Sequence, residues 1–599
     1  MRDSAAVVVA LAAAAGALAA RPLPLPLAVA VVATALVARR PLLLAAGVAM
    51  AASGLAARSW AGLAPPEPAS VEAVVTLVTD PVDTFGGVRV DARLDGRRVE
   101  AFARGAAAGR LAGRLAGERA FVSGHLQPVP PSDRLRLAPR HVSARLTVTS
   151  VGDWSPGGPV ARVANGLRRT LMAGASSLGP GPRSLYAGFV LGDRRGQPPE
   201  VAYDFRASGL AHLLVVSGQN VAFVLAVAGP ALRRLGLGGR LAAGAAVLVV
   251  FGTLTRWEPS VIRAVAMAGV TMLAATAGRP ASTARVLALA VGGLLLVDPL
   301  LVHSIGFRLS VGACAGIALL GRALTRRIPG PRPLAEALGV TMAAQAGVAP
   351  VLVPLFGGLP VAALLANLLA APAAGPLMMW GLVAGLPAGV VGGTFAAVAH
   401  LPTAALVGWV AAVARAGAAL PLGQLGMGHV AVLAAGVALA AWAAGRRRRV
   451  VLAGGLAAAV VAGVASPALS VARPGIIDGR PVGSGATLWR AGSATVLVLD
   501  GAVGDPDRIM SALHLAGVRD LDVLVASRPG GTEARRAEVV QRRYPARLVL
   551  APARARLLGA QVPPAGAAIE VGALTVHVDH AGDRLAVTVT RAGGRGPPG

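Results

Sequence analysis

The run from Ala207 to Val227 opens with His212, Ser217, Gly218, Gln219 and Asn220 and ends as an apolar helix. A helix facing only lipid would carry no such polar groups, because each one left unsatisfied in hydrocarbon costs several kcal/mol. Two readings stay open. The side chains line a wet cavity or a bundle interior, or they mediate a helix–helix contact, with small residues at the crossing and Ser or Asn bonding across. Arg256, Arg263 and Arg308 lie in or beside later apolar runs. A planar guanidinium suits phosphate, so the three are candidates for contact with a polyanion. Arg256 and Arg263 also lie near expected helix ends, where snorkelling to the interface would explain them. Gln345 and Asn367 add hydrogen-bonding capacity, and Asp298 is expected to pair with an Arg.

The elements that would position these residues are membrane helices. The chain has 599 residues, 55% of them hydrophobic, and its mean hydropathy is +0.65. That is too apolar for a soluble protein of this size, and runs of about 18 or more apolar residues recur. Net charge is +29, with every basic residue an Arg. The surplus favours anionic partners, lipid headgroups or nucleic acid. The single Cys314 excludes an intrachain disulfide and a multi-Cys metal site, and reads as a packing residue.

In chain order, residues 1–60 are read as N-terminal transmembrane helices (Ala5–Ala20, Leu23–Ala38, Leu42–Ala57). Arg39-Arg40 places the N-terminus in the cytoplasm by the positive-inside rule. Residues 65–151 alternate apolar and polar between Gly-rich turns, which predicts a barrel of about five strands compatible with an OB-fold. Its basic residues include Arg93, Arg97, Arg98 and Arg104, candidates for contact with a nucleic-acid strand. Aromatics are few (Phe85, Phe102, Phe121), Phe121 is expected in the core, and a plain structural barrel is the competing reading. Residues 160–209 are read as amphipathic interfacial helices. Residues 210–469 are read as a polytopic core, about thirteen spans in all on a window of ~20 residues. Expected spans start near Leu210, Leu241, Ser260, Ala284, Ile305, Leu334, Val361, Val391, Val430 and Val451. Arg233-Arg234, Arg279, Arg322, Arg326-Arg327 and Arg446–Arg449 then fall on one side, leaving the barrel and the C-terminal domain outside the cytoplasm.

The string Ser208-Gly-Leu-Ala-His-Leu-Leu-Val-Val-Ser-Gly218 resembles the signature of the ComEC family, with Gln219-Asn220 where that family usually reads Leu-His. Further strings resemble it in order: Tyr186-Ala-Gly-Phe-Val-Leu-Gly-Asp193, Pro259-Ser-Val-Ile-Arg-Ala-Val-Ala-Met267 and Gly306-Phe-Arg-Leu-Ser310. Ala343-Ala-Gln-Ala-Gly-Val-Ala-Pro350 and Leu364-Leu-Ala-Asn-Leu-Leu-Ala-Ala-Pro372 follow. The resemblance covers most of residues 65–375. It implies a plasma-membrane channel component that admits single-stranded DNA during natural transformation. The DNA path or channel lining would be drawn from His212, Ser217, Gly218, Asn220, Arg256, Arg263, Asp298, Arg308, Gln345 and Asn367. Partners would be single-stranded DNA, membrane lipids, extracytoplasmic DNA-receptor proteins and a separate cytoplasmic ATPase or helicase, since the chain has no Gly-rich Lys-Ser/Thr phosphate loop. Gly-rich helices permit a homodimer.

Residues 475–599 resemble the metallo-β-lactamase-like domain of many such proteins. Where metal-bearing members read Thr-His-x-His-x-Asp-His, this chain reads Ser527-Arg-Pro-Gly-Gly-Thr-Glu533. Arg528, Gly530 and Thr532 cannot replace the ligands that would ready a water for attack, and His577-Val-Asp-His580 falls on a later strand. The expectation is a degenerate, truncated remnant with no metal, no cofactor and no enzymatic activity. The fold class is thus a polytopic α-helical membrane protein with an OB-like barrel and an α/β remnant. Two alternatives stand beside the channel: a membrane-bound metal-dependent hydrolase or nuclease, and a transporter of another anionic solute.

Overall fold

The computed structural model describes residues 3–216, 218–276, 278, 282–420, 422–432, 435, 477–501, 503–528, 530–555 and 557–591. Two compact units divide the chain. The first comprises Met1–Gly196, His212–Leu355 and Asn367–Val410; the second comprises Gln197–Ala211, Phe356–Ala366 and Ala411–Gly599.

The first unit opens with three apolar helices, Asp3–Ala19, Leu25–Val37 and Pro41–Gly62. Proline sits in the first turn of the second and third, where its missing N–H is no loss. Asp3 ties the first helix to Arg285 and Ser282 at the start of helix Thr283–Val297.

Six strands follow: β1 (Ala69–Leu77), β2 (Val82–Thr84), β3 (Gly87–Leu94), β4 (Arg97–Ala103), β5 (Arg119–Pro128) and β6 (Val142–Ser155). The five long ones close a ring in the order β1-β3-β4-β6-β5 and back to β1. All those pairs are antiparallel except β4–β6. A short helix, Gly105–Ala112, joins β4 to β5. Alternate residues turn inward, so Val88, Val90, Val99, Ala101, Val122 and Leu146 build the core. Phe121 departs from expectation. It is 46% exposed, beside an equally outward Val74 across the strand pair. Its neighbours Ala120 and Val122 fill the inward positions, and strand alternation leaves Phe121 none.

The segment expected to lie in the interface is not interfacial throughout. Helix Pro180–Leu191 is buried continuously from Ser184 to Leu191. Helix Pro159–Gly174 exposes Val160 and Val163 and buries Asn165 and Arg168. Its polar side faces protein, because that is where its ion-pair partners lie.

Among the described residues, six helices are long and apolar enough to cross a bilayer, and five more of 10–17 residues are apolar. The chain is a helical membrane protein. The spans expected from Val430 and Val451 run into residues 436–476, outside the described residues. No helix starts at Leu210: a single 3₁₀ turn, Ala211–Leu214, precedes helix Gly218–Leu232. Gly209 carries φ +76°, which an L side chain adopts only under strain, and this ends the preceding helix.

Helices Ile305–Gly316 and Arg332–Phe356 cross where Gly312 and Gly316 meet Gly347. A Cβ on Gly347 would run into the Gly312 carbonyl oxygen, which is backbone and cannot yield. Gly347→Leu is expected to destabilise the detergent-solubilised protein by about 1–3 kcal/mol through overpacking. Its thermal midpoint beside that of wild type checks this.

The C-terminal part of the second unit holds a six-stranded sheet. Strands Ile477–Gly483, Ala486–Ala491 and Ala494–Leu499 are antiparallel neighbours. Leu521–Ala526, Ala546–Leu550 and Ala560–Gln561 continue the sheet in parallel. The inward residues Val496, Val498, Val523 and Val525 pack against Leu574, Val576 and Val578 of a three-stranded sheet (568–571, 574–581, 585–591).

Candidate functional site

Three helix starts lie close together in the first unit: Gly218–Leu232, Pro259–Thr276 and Ile305–Gly316. The Ser260 hydroxyl donates to the Val216 carbonyl at 2.5 Å. The Pro259 ring lies 4.0 Å from where a Gly306 Cβ would be. Each start carries the positive end of a helix dipole, and at Ile305–Gly316 the Ser304 hydroxyl already accepts from the Phe307 N–H.

Arg263 lies among them, 5% exposed. Its Nε donates to Ser310 Oγ at 2.7 Å, and its Nη1 donates to Cys314 Sγ at 3.0 Å and Met267 Sδ at 3.1 Å. Its Nη2 faces Gly218, 2.8 Å from where a Cβ would stand. Arg263 makes no ion pair among the described residues. It therefore does not snorkel, and Cys314, read as a packing residue, helps to hold the guanidinium.

Arg256 departs from the sequence expectation. Its Nη2 donates to Asp80 Oδ1 at 2.8 Å and to Asn165 Oδ1 at 2.8 Å, so it is committed to protein partners. Asp80, in the β1–β2 turn, also accepts from Arg168 Nη2 at 2.8 Å and from the Ala116 N–H at 2.8 Å. Arg168 in turn reaches Asp193 at 3.0 Å and the Leu254 carbonyl at 2.7 Å. Arg195 pairs with Asp193 at 2.5 Å. Burial pushes the Asp80 and Asp193 carboxyls up, but the surrounding arginines outweigh it and hold both below the ordinary carboxylate value. Two aspartates and three arginines thus form a cluster, buried at Arg168 and Asp193 and half-buried at Asp80, Arg195 and Arg256, joining the barrel to the helices. Sequence reading missed Asp80, Arg168 and Arg195. Asp193 stood in a quoted string, but nothing local identified its partners.

Asp298 was expected to pair with an Arg; instead it takes His141 Nε2 at 2.9 Å. His141 stands immediately before β6 with φ 56°. His212 is exposed in its 3₁₀ turn, and Asn220 is buried with its amide on the Phe189 carbonyl at 3.1 Å. Ser217 lies outside the described residues. Arg308 is exposed in the first turn of helix Ile305–Gly316. Gln345 and Asn367 are half-buried on helices Arg332–Phe356 and Ala363–Val391. The structure therefore brings Gly218, Arg263 and Ser310 into contact and removes Arg256 from that group.

On the barrel, the outward residues of β3 and β4 include Arg89, Asp91, Glu100 and Phe102. Asp91 and Glu100 are buried under Arg140 and Arg145, and Asp133 of helix Pro131–Leu137 joins them. Arg89, Arg136, Arg140 and Arg145 are thereby engaged with Asp91, Glu100 and Asp133, and the face keeps a cationic surplus. Of the four barrel candidates, Arg93 and Arg97 are exposed, and Arg97 donates to the Ala64 carbonyl at 3.4 Å. Arg98 is half-buried on the Arg140 carbonyl at 3.3 Å, and the Arg104 guanidinium lies 5.2 Å from the Phe102 ring centre.

In the α/β part, Ser527 and Arg528 follow the parallel strand Leu521–Ala526, and Glu533 lies in helix Gly531–Arg543. Among the described residues no three His, Cys, Asp or Glu side chains come together as a metal site.

Comparison with known proteins adds the family. The model described as "Competence protein" matches residues 189–474. Residues 189–474 are a competence-protein domain. Two curated relatives are 26% identical to the chain. "Uncharacterized protein YcaI" of Escherichia coli (strain K12) aligns over 215 residues, 33% of this chain and 28% of its own length. "ComE operon protein 3" of Bacillus subtilis (strain 168) aligns over 250 residues, 41% of this chain and 32% of its own. The alignments thus cover about a third of each relative. No solved structure matches. The competence-protein domain contains Gly218, Arg263 and Ser310, and the ComEC resemblance holds over this stretch.

Proposed function

We propose that the protein is a plasma-membrane component of DNA uptake, passing single-stranded DNA through its competence-protein domain. The observation that carries this reading is the broken start of helix Gly218–Leu232 inside that domain. Irregular backbone beside an apolar helix is tolerated where it is covered by protein or lines a cavity. Here it adjoins a buried cation and three helix starts, an environment suited to a polyanion.

The finer parts belong to the same proposal. The ring order of the barrel and its single parallel pair support an OB-type domain, with Arg93, Arg97 and Arg104 as its remaining strand contacts. The strand and helix order of residues 477–591 supports a metallo-β-lactamase-like remnant. Arg528, Gly530 and Thr532, between the end of strand Leu521–Ala526 and the first turn of helix Gly531–Arg543, support a domain without metal or enzymatic role. Both domains would lie outside the cytoplasm and the N-terminus inside. A separate ATPase or helicase would pull the strand, receptor proteins would deliver it, and the membrane chain would work alone or as a homodimer.

Uptake of labelled DNA into a nuclease-protected compartment tests the reading. In a competent host, deleting the gene is expected to reduce uptake to background and complementation to restore it. Unchanged uptake after deletion would turn attention to another anionic cargo.

A further inference from the structure

We propose that helix Pro159–Gly174 rests on the phospholipid surface and seats the barrel on the bilayer. The proposal goes beyond DNA uptake and holds whatever the cargo.

One stripe of the helix comes first. Val160, Val163, Leu167, Thr170 and Gly174 recur every three or four residues and share one side. The C-terminal end of this stripe is packed. A Cβ on Gly174 would stand 2.7 Å from the Gly389 nitrogen and 2.8 Å from the Gly385 carbonyl oxygen. A Cβ on Gly389 would run into the Thr170 carbonyl. Gly385 and Gly389 belong to the last turns of helix Ala363–Val391, which is long and apolar enough to cross a bilayer. The N-terminal end of the same stripe is open, with Val160 64% exposed and Val163 63%.

Depth comes second. Gly389 and Gly385 precede the end of their helix by two and six residues, about 3 and 9 Å at a rise of about 1.5 Å per residue. Arg168 donates to the carbonyl of Leu254, the last residue of the bilayer-length helix Leu237–Leu254. Helix Pro159–Gly174 thus lies across the ends of two apolar helices. Val390 and Val391 at the end of one of them are exposed, and so are Phe395 and Val398 on helix Gly393–Ala399. That helix touches the 3₁₀ turn Ala175–Leu178, which directly follows Gly174. Apolar side chains grouped in this way at the end of a span mark a contact with lipid.

The opposite side comes third. Ala161 packs on Gly117, Asn165 Nδ2 donates to the Ala116 carbonyl at 3.1 Å, and Arg168 and Arg169 reach Asp80 and Glu118. These partners adjoin β1 and β5 of the barrel. The polar side of the helix therefore holds the barrel and leaves the valine stripe for the membrane. Arg162, exposed on the flank of the stripe, is placed to snorkel to headgroup phosphates.

The test uses the full chain in lipid nanodiscs, in a Cys314→Ser background. A nitroxide is attached at Val160→Cys or Val163→Cys. Thr147→Cys, exposed and outward on β6, serves as the water-facing reference. Collisions with oxygen, which enters lipid, are compared with collisions with a water-soluble nickel chelate. The oxygen-to-nickel ratio is expected to be about tenfold higher at the two valine positions than at the reference. A ratio equal to the reference would put the stripe in water and overturn the proposal. Few collisions with either reagent would mean that protein covers the stripe, which overturns it too. The unsubstituted chain gives an independent reading if a labelled variant fails to fold. With a phospholipid that carries a photoreactive group high on its acyl chain, adducts are expected on residues 159–168 and not on 142–151. Adducts on 363–391 with none on 159–168 would overturn the proposal. Each of these outcomes leaves the DNA reading standing.

Discussion

Asp80→Ala is expected to destabilise the first unit by about 3–5 kcal/mol, the cost of leaving buried charge unpaired. Asp80 accepts from Arg168, Arg256 and the Ala116 N–H. Without it, Arg168 keeps Asp193, while Arg256 keeps only the Asn165 amide. The cluster then holds three arginines against one carboxylate. Arg168→Met is expected to be milder, because Asp80 retains Arg256 and Asp193 retains Arg195. Removing both Asp80 and Arg256 should recover part of the single-variant loss, since the orphaned cation goes with its partner. Thermal midpoints of the purified proteins check the order Asp80→Ala, then the double variant, then Arg168→Met. An Asp80→Ala protein as stable as wild type would remove the cluster from the account. The pH dependence has a definite sign. Both carboxyls are depressed in the folded protein, so their contribution is present above the ordinary value of 3.8 and is lost as pH falls through the depressed values.

That cluster also shows where sequence reading stops. The barrel strands were legible because inward Val and Ala alternate with Arg and Asp, and Gly-rich turns separate the runs. Phe121 was misplaced because Ala120-Phe-Val122 is apolar throughout, and a continuous apolar run does not identify the inward face. The break before Gly218 was hidden by the same effect: leucines and valines surround it, and only the Gly209 backbone reveals the turn. Helix Pro159–Gly174 was read by its valine stripe, while its buried side is set by Asp80 and Asp193, 88 and 25 residues away. Periodicity carries local information, and ion pairs at such separations leave no trace in it. Arg263 was legible as a candidate from its place in an apolar run. That it lacks a carboxylate could only come from the structure.

Arg543→Met is expected to loosen helix Pro199–Ala207 from the α/β part of the second unit, by about 3–5 kcal/mol for breaking a buried pair. Arg543 Nε donates to Asp204 Oδ1 at 2.6 Å, and the guanidinium lies 5.1 Å from the Tyr544 ring centre and 5.7 Å from that of Tyr203. The Tyr203 and Tyr544 hydroxyls both donate to the Met510 carbonyl, at 3.1 and 3.0 Å. Glu200–Arg542 and Arg206–Asp507 flank the pair, more exposed and therefore worth less. The double variant Asp204→Asn/Arg543→Met should be more stable than Arg543→Met, because no charge is then left buried. Here the pH sign is opposite to that of the Asp80 cluster. Burial raises the Asp204 carboxyl above its ordinary value despite the pull of Arg543. Its contribution is complete below the unfolded carboxylate value and declines as pH rises through the raised one. Arg543→Met removes the pull and raises that carboxyl further, so mild acid should restore docking in the single variant and change the double variant little. Amide hydrogen exchange over residues 199–207 and 531–543, at pH 7 and pH 5, reads this directly. A double variant as loose as the single at both pH values would mean that ring and carbonyl contacts hold the helix and the ion pair does not.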